Sequence, residues 1–87
     1  MDSQPHVLLV EDNPAFRSLV ALRLQLLGCS SVAVGSVPEA IEALERERFD
    51  RVVSDCSLPG PSGLELLAYV SRRTPDTDFV LTFLSSP

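Results

Sequence analysis

Residues 7–14 read VLLVEDNP, an apolar run that ends in two adjacent acids, Glu11 and Asp12. A second apolar run, RVVSD at residues 51–55, ends in Asp55. Short apolar runs bounded by turn residues are typical of buried strands in a parallel sheet, and ligand sites in such sheets lie beyond the carboxyl ends of the strands. We therefore predict that the three acids gather at one edge of a parallel sheet.

Three carboxylates at one edge of a sheet repel one another unless a cation neutralises them. Adjacent strands lie about 4.8 Å apart, so the three acids would share one pocket. Carboxylate oxygens are hard ligands that suit Mg²⁺. The pattern therefore indicates a magnesium site and, with it, metal-assisted phosphoryl chemistry.

The remaining signals along the chain alternate between strand and helix. Asn13 is placed to cap the first helix, Pro14 and Pro38 stand where a first helical turn tolerates proline, and Gly28 is placed to end the first helix. This βαβαβαβ order predicts an α/β domain built on a parallel sheet. The predicted strands cover residues 7–10, 31–34, 51–54 and 79–84, and the predicted helices cover residues 15–27, 39–48 and 64–72.

Two of the predicted helices carry different apolar patterns. In the third helix we expect Leu64, Leu67 and Val70 to face the core. The first helix is apolar nearly all round, whereas a surface helix needs only one apolar stripe. We therefore expect it to be covered on two sides or to form an interface. Its apolar residues include Leu19, Val20, Leu22, Leu24, Leu26 and Leu27.

Composition excludes several classes of protein. A hydrophobic content of 45% rules out a disordered chain, and 87 residues make one domain at most. A net charge of −5 without a basic run argues against nucleic-acid binding by this segment. No stretch has membrane-spanning length and no signal peptide is visible, so we expect a cytoplasmic location without membrane contact.

Three further side chains have an ordinary interpretation. Cys29 and Cys56 have no metal-ligand spacing and are expected to be reduced thiols. His6 follows Pro5 before the first strand and is expected to be a solvated terminal residue.

Together these residues resemble the receiver domain of two-component response regulators. The resemblance runs from about residue 6 to residue 84. It depends on the order and spacing of the pieces, since each piece alone is weak. The matching pieces are VLLVEDNP with Arg17, the helix-ending Gly28, PEA at 38–40, FDRVVSD at 49–55, LPGPSG at 58–63 and VLT at 80–82.

The resemblance implies a role for each site residue. Asp55 would accept a phosphoryl group from a sensor histidine kinase or a phosphotransfer protein. Asp12 and Asp55 would bind Mg²⁺ directly, Glu11 would bind it through water, and the backbone carbonyl of Ser57 would complete the protein ligands. Thr82 would be the switch hydroxyl that moves to the phosphoryl group. The chain would then be a signalling module and not an enzyme.

The chain also departs from the receiver pattern. Receivers have a flavodoxin-like sheet of order 2-1-3-4-5, whereas this sequence stops after the fourth strand. We therefore expect a receiver-type domain over residues 1–87 with strand order 2-1-3-4, truncated or taken from a longer protein. It lacks helix 4, strand 5 and helix 5, and with them the family's phosphoryl-contacting lysine. Phe83 also stands where the family prefers a small residue.

These departures leave a second function open. A truncated receiver that is impaired in phosphorylation would act as a protein–protein assembly module. Its fourth strand would be an exposed apolar edge, which favours pairing with another chain, so we expect a homo-oligomer.

Ordinary interpretations of the site residues also remain. The acids of residues 11–12 are compatible with helix capping, and Thr82 with strand formation. A haloacid-dehalogenase-type phosphatase is set aside, because it needs an acid where this chain has Ser57.

Overall fold

Four strands and three helices alternate along the chain in the computed structural model, which describes residues 4–55, 63–74 and 76–82, with only the backbone described at 55, 63, 81 and 82. All strand pairs are parallel. The strands are β1 (His6–Val10), β2 (Ser30–Val34), β3 (Arg51–Asp55) and β4 (Asp78–Thr82), and the helices are α1 (Pro14–Leu26), α2 (Val37–Arg46) and α3 (Gly63–Arg73). The spatial order β2-β1-β3-β4 confirms the predicted flavodoxin-like order 2-1-3-4.

The main core lies between one face of the sheet and helices α2 and α3. Leu8 and Val10 of β1 and Val52 of β3 point to this face and are fully buried. They alternate with residues of the other face, as the two-residue period of a strand requires. Burying each such side chain stabilises the fold by about 1.5–3 kcal/mol. The rest of the buried cluster is Val37, Ala40, Ala43, Leu44, Phe49, Leu66 and Val70.

Helix α1 packs on the other face of the sheet and has no fully buried residue. Beneath it Val7 and Leu9 of β1 are buried. Within the part of the chain that the structure describes, Leu26 and Leu27 remain 74% and 77% exposed, and Leu19 and Leu22 are each about half exposed. The excess apolar surface predicted for this helix is present, and no described residue covers it on a second side.

Local signals at the helix ends match the sequence. The Asn13 side chain accepts hydrogen bonds from the amides of Ala15 and Phe16 at 2.9 and 3.2 Å, which caps α1 as predicted. Gly28 has a φ of +86°, a value that residues with a Cβ atom rarely adopt. This backbone conformation ends α1 and redirects the chain. The hydroxyl of Ser36 caps α2 by accepting from the amide of Glu39 at 3.4 Å.

Two details of the predicted helices are wrong. Helix α2 ends at Arg46 and not at Arg48, because Glu47 adopts an extended conformation with φ −146° and ψ 162°. In α3, Leu64 is 64% exposed, while Leu66 is fully buried with Val70 four residues later. Residues four positions apart lie on the same face of a helix. The face of α3 that meets the core is therefore the one that carries Leu66 and Val70.

The fourth strand was predicted over residues 79–84 and is described from Asp78 to Thr82. Phe83 and Leu84 lie outside the described residues.

The expectation for His6 is also wrong, because this residue forms a hydrogen-bonded junction at the amino-terminal edge of the sheet. Its Nδ1 lies 2.7 Å from the Ser30 hydroxyl, and its Nε2 lies 2.7 Å from a Glu47 carboxylate oxygen. Its backbone amide donates to the Asp50 carboxylate at 2.7 Å. The ring stacks on Phe49 with centroids 4.6 Å apart. The junction joins β1, β2 and the segment that follows α2.

We expect His6→Ala to lower the free energy of unfolding by about 1–3 kcal/mol, because it removes two side-chain hydrogen bonds and a ring contact. Urea unfolding followed by circular dichroism measures the change. Gln4→Ala, an exposed change two residues away, is the control and should leave the midpoint unaltered. An unchanged midpoint in His6→Ala would show that the junction contributes nothing to stability.

Candidate functional site

The register of the sheet decides which residues meet at its carboxyl-terminal edge. Val10 of β1 pairs with Ser54 of β3, so the next residues, Glu11 and Asp55, are neighbours across the two strand ends. Asp55 pairs in turn with Thr82 at the end of β4. The backbone therefore brings the predicted acidic residues and the predicted switch residue to one edge.

Glu11 is the most enclosed member of this group, with no exposed surface. Its amide donates to the Val34 carbonyl at 3.0 Å, which extends the β1–β2 pairing by one residue. One carboxylate oxygen accepts from the Asn13 amide at 2.9 Å. A buried carboxylate is unfavourable unless hydrogen bonds or a cation compensate for the lost hydration, and the Asn13 amide supplies one such hydrogen bond.

Asp12 follows Glu11 and is exposed at the start of the turn into α1. The candidate metal ligands described at this edge are therefore two carboxylates, that of Glu11, which is buried, and that of Asp12, which is exposed to solvent. Hard oxygen donors of this kind suit Mg²⁺, which keeps several water ligands. The residues present fit the ion that the sequence predicted.

The other predicted ligands are described less fully. Ser57 lies outside the described residues, and the side chains of Asp55 and Thr82 are not described. Among the side chains that are described, no group of three or more His, Cys, Asp or Glu is placed to hold a metal ion. The ligand set of four residues, Glu11, Asp12, Asp55 and Ser57, thus stays a prediction, as does the switch role of Thr82.

One residue at this edge had no predicted role. Arg17 of α1 donates a hydrogen bond from Nη1 to the backbone carbonyl of Glu11 at 3.0 Å. The sequence signal was present, because Arg17 is one of the residues that carry the resemblance. The hydrogen bond between Arg17 and the Glu11 carbonyl depends on how α1 packs against the sheet. The sequence therefore did not predict it.

Two further findings concern the rest of the chain. Cys29 carries a free thiol and is half-buried, and Cys56 lies outside the described residues. The helices within the described ranges are all too short or too polar to cross a membrane.

Comparisons with a family model and with known proteins all point to the same family. The family model of the response regulator receiver domain matches residues 7–85. The response regulator protein PilR of Pseudomonas aeruginosa is 37% identical over 75 residues, which cover 86% of this chain and 17% of PilR. The response regulator protein FleR of the same organism is 41% identical over 75 residues, covering 86% of this chain and 16% of FleR. This chain therefore spans about a sixth of the length of these regulators.

Solved structures agree with the sequence relatives. The chemotaxis response regulator CheY4 of Vibrio cholerae superposes with a TM-score of 0.85 at 26% identity, over 91% of this chain and 68% of that chain. The response regulator TrrA of Thermotoga maritima, solved in complex with Mg²⁺-BeF, gives a TM-score of 0.88 at 28% identity, over 95% and 72%.

The sheet order, the acidic edge formed by β1 and β3, and these matches lead to one conclusion. The chain belongs to the response regulator receiver domain family, whose members serve in two-component phosphorelay signalling.

Proposed function

We propose that this domain accepts a phosphoryl group on Asp55 from a sensor histidine kinase or a phosphotransfer protein. In this proposal Mg²⁺ is held by Asp12, Asp55 and the Ser57 carbonyl, and by Glu11 through water. The observation that carries the proposal is the β1–β3 register, which makes the acidic end of β1 the neighbour of Asp55. The complete burial of Glu11 beside that position adds to it.

The proposed reaction is a displacement at phosphorus. A carboxylate oxygen of Asp55 attacks the phosphorus of a phosphohistidine, the nitrogen–phosphorus bond breaks, and the departing imidazole takes a proton. Such transfers need positioning and charge neutralisation more than covalent help from the protein. Bound Mg²⁺ would supply that neutralisation. Thr82 pairs with Asp55 one strand away, a spacing of about 4.8 Å, which suits a hydroxyl that senses the new phosphoryl group.

The kinase partner is supported by the relatives. TrrA of Thermotoga maritima, which superposes with a TM-score of 0.86, was also solved in complex with the histidine kinase ThkA. The sensor protein GacS of Pseudomonas syringae contains a segment 42% identical to this chain over 59 residues, which cover 68% of this chain and 6% of GacS. In this proposal the domain is the acceptor and not an enzyme. A cytoplasmic location is part of the same proposal.

The contact surface for the donor is part of the same proposal. A partner must bring its phosphohistidine to Asp55, so its binding surface must adjoin the acidic edge. Helix α1 begins at Pro14, two residues after Asp12, and exposes Leu19 and Leu22. This apolar helical surface suits a partner helix that carries its own apolar stripe.

The metal site is tested by titrating Mg²⁺ into the chain and following backbone amide shifts. We expect shifts centred on residues 11–12 and 55–57, and their loss in Asp12→Ala, because a direct ligand is removed. Asp76→Ala, an exposed acid in the turn before β4 at the opposite edge of the sheet, is the matched control and should respond like the unaltered chain. Shifts elsewhere, or none, would remove the magnesium assignment.

Phosphorylation of this 87-residue chain by a small phosphodonor is expected to be slow. All seven of its basic residues are arginines, so it contains no lysine to meet the phosphoryl charge, and one such preorganised group often contributes 10²- to 10³-fold in rate. Phosphate incorporation into the chain measures the rate. Asp55→Ala should abolish the labelling. Labelling that survives in Asp55→Ala would disprove the assignment of the acceptor.

A second function is favoured by a separate observation. The strand β4 is the outer strand of the described sheet, and Val80 is 39% exposed on it. Together with Leu27 it lines an open groove of about 390 Å³ between α1 and the sheet. We infer that this 87-residue chain assembles with a second copy of itself, since an apolar outer strand pairs readily with another chain.

Sedimentation over a wide concentration range tests the assembly, and a dimer is expected. Val80→Lys should return the chain to a monomer if β4 is the interface, and Leu26→Glu should do so if α1 is the interface. Leu64→Glu, an exposed leucine on α3, is the control. A folded monomer at high concentration would contradict the assembly proposal and leave the phosphoryl acceptor unaffected.

A further inference from the structure

Arg17 of α1 makes two hydrogen bonds to the turn that carries the acidic pair. Its guanidinium Nη1 donates to the Glu11 carbonyl at 3.0 Å, and its backbone amide donates to the Asn13 carbonyl at 2.8 Å. The two acceptors are the backbone carbonyls of the residues on either side of Asp12. Because a peptide unit is planar, holding the Glu11 carbonyl also sets the direction in which the chain enters Asp12.

The space for this guanidinium is provided by Gly35, which follows β2. A Cβ atom built on Gly35 would lie 2.9 Å from Nη1 of Arg17 and 3.9 Å from its Cζ. Among the residues that the structure describes, Gly28 has a positive φ, whereas Gly35 does not. Backbone conformation therefore gives no reason for a glycine at position 35, whereas the contact with the guanidinium does.

Arg17 is also isolated from the other cations of the chain. Helices in this fold run back against the strands, so the helix ends and strand starts lie at the amino-terminal edge of the sheet. All other basic residues occupy such positions and are remote from the acidic pair. They are Arg23, Arg46, Arg48, Arg51, Arg72 and Arg73.

We propose that Arg17 is a positioning residue for the metal site and that Gly35 admits it. The guanidinium holds the Glu11–Asp12 backbone in the geometry in which the two carboxylates serve one Mg²⁺ ion. This inference rests on the proposed function, because it assigns a role within the same site.

Two effects of Arg17 on Mg²⁺ affinity have opposite signs, and this makes the inference testable. A nearby positive charge repels a cation, so removing the charge alone would tighten Mg²⁺ binding. Loss of positioning would weaken binding, and residues that orient metal ligands typically contribute about 10–100-fold in affinity. The proposal requires the loss of positioning to outweigh the loss of charge repulsion, so that removing Arg17 weakens Mg²⁺ binding.

The experiment measures the Mg²⁺ dissociation constant of the 87-residue chain and its variants by amide shift titration. We expect Arg17→Met to weaken binding about tenfold with an unchanged two-state unfolding transition. Gly35→Ala should also weaken binding, because its methyl group displaces the guanidinium but keeps the charge. The double variant should be no weaker than Arg17→Met alone, since both changes break the same contact. Arg23→Met, on the last turn of the same helix, is the matched control.

Equal or tighter binding in Arg17→Met, or additive effects in the double variant, would overturn the inference while leaving the proposed function intact. If Arg17→Met fails to fold, Gly35→Ala decides the matter, since the methyl group meets only side-chain ends, that of Arg17 at 2.9 Å and that of Glu39 at an ordinary contact distance of 3.7 Å. Unaltered affinity in Gly35→Ala would then overturn the inference. An unaltered chain that binds no Mg²⁺ would overturn the metal part of the proposed function, and the positioning role with it. The ¹³C shift of the Glu11 carbonyl would still show separately whether the contact exists.

Discussion

The parallel register between β1 and β3 is the constraint on which the rest of this domain depends. Val10 pairs with Ser54, and this pairing alone makes Glu11 and Asp55 neighbours at the strand ends. A slip of one residue would turn every side chain of a strand to the opposite face. Leu8 would leave the core under α2 and α3 if β1 slipped, and Val52 would leave it if β3 slipped. Packing of the hydrophobic core thus fixes the register that places the acids together, although no residue of the hydrophobic cluster belongs to the site.

The two edges of the sheet are organised by different physical means. At the carboxyl-terminal edge lie a buried carboxylate, Glu11, and an exposed one, Asp12, and Arg17 donates to the backbone carbonyl between them. At the amino-terminal edge His6 joins two strands and the segment after α2 through short hydrogen bonds and a stacked ring. The first arrangement places acidic residues at the ends of neighbouring strands, whereas the second joins segments that are far apart in the chain.

The accuracy of the sequence predictions followed the range of the interactions involved. Caps and turns are local, and Asn13 and Gly28 occur where their chemistry placed them. The end of α2 was wrong because Glu47 leaves the helix and contacts His6, a residue 41 positions away. Leu64 was wrong because its burial depended on where α3 begins and how that helix meets the sheet.

By itself the sequence determined the element order and the strand-end positions of the acids, and its resemblance to receiver domains implied the strand order. Element order and strand-end position depend on periodicity and turn residues, which are properties of short segments. Only the tertiary structure decided that Glu11 is fully enclosed, that Arg17 reaches its carbonyl and that Gly35 leaves room for it. Those facts depend on the distance between segments far apart in the chain. That distance is set by the packing of α1 against the sheet, and no local pattern encodes it.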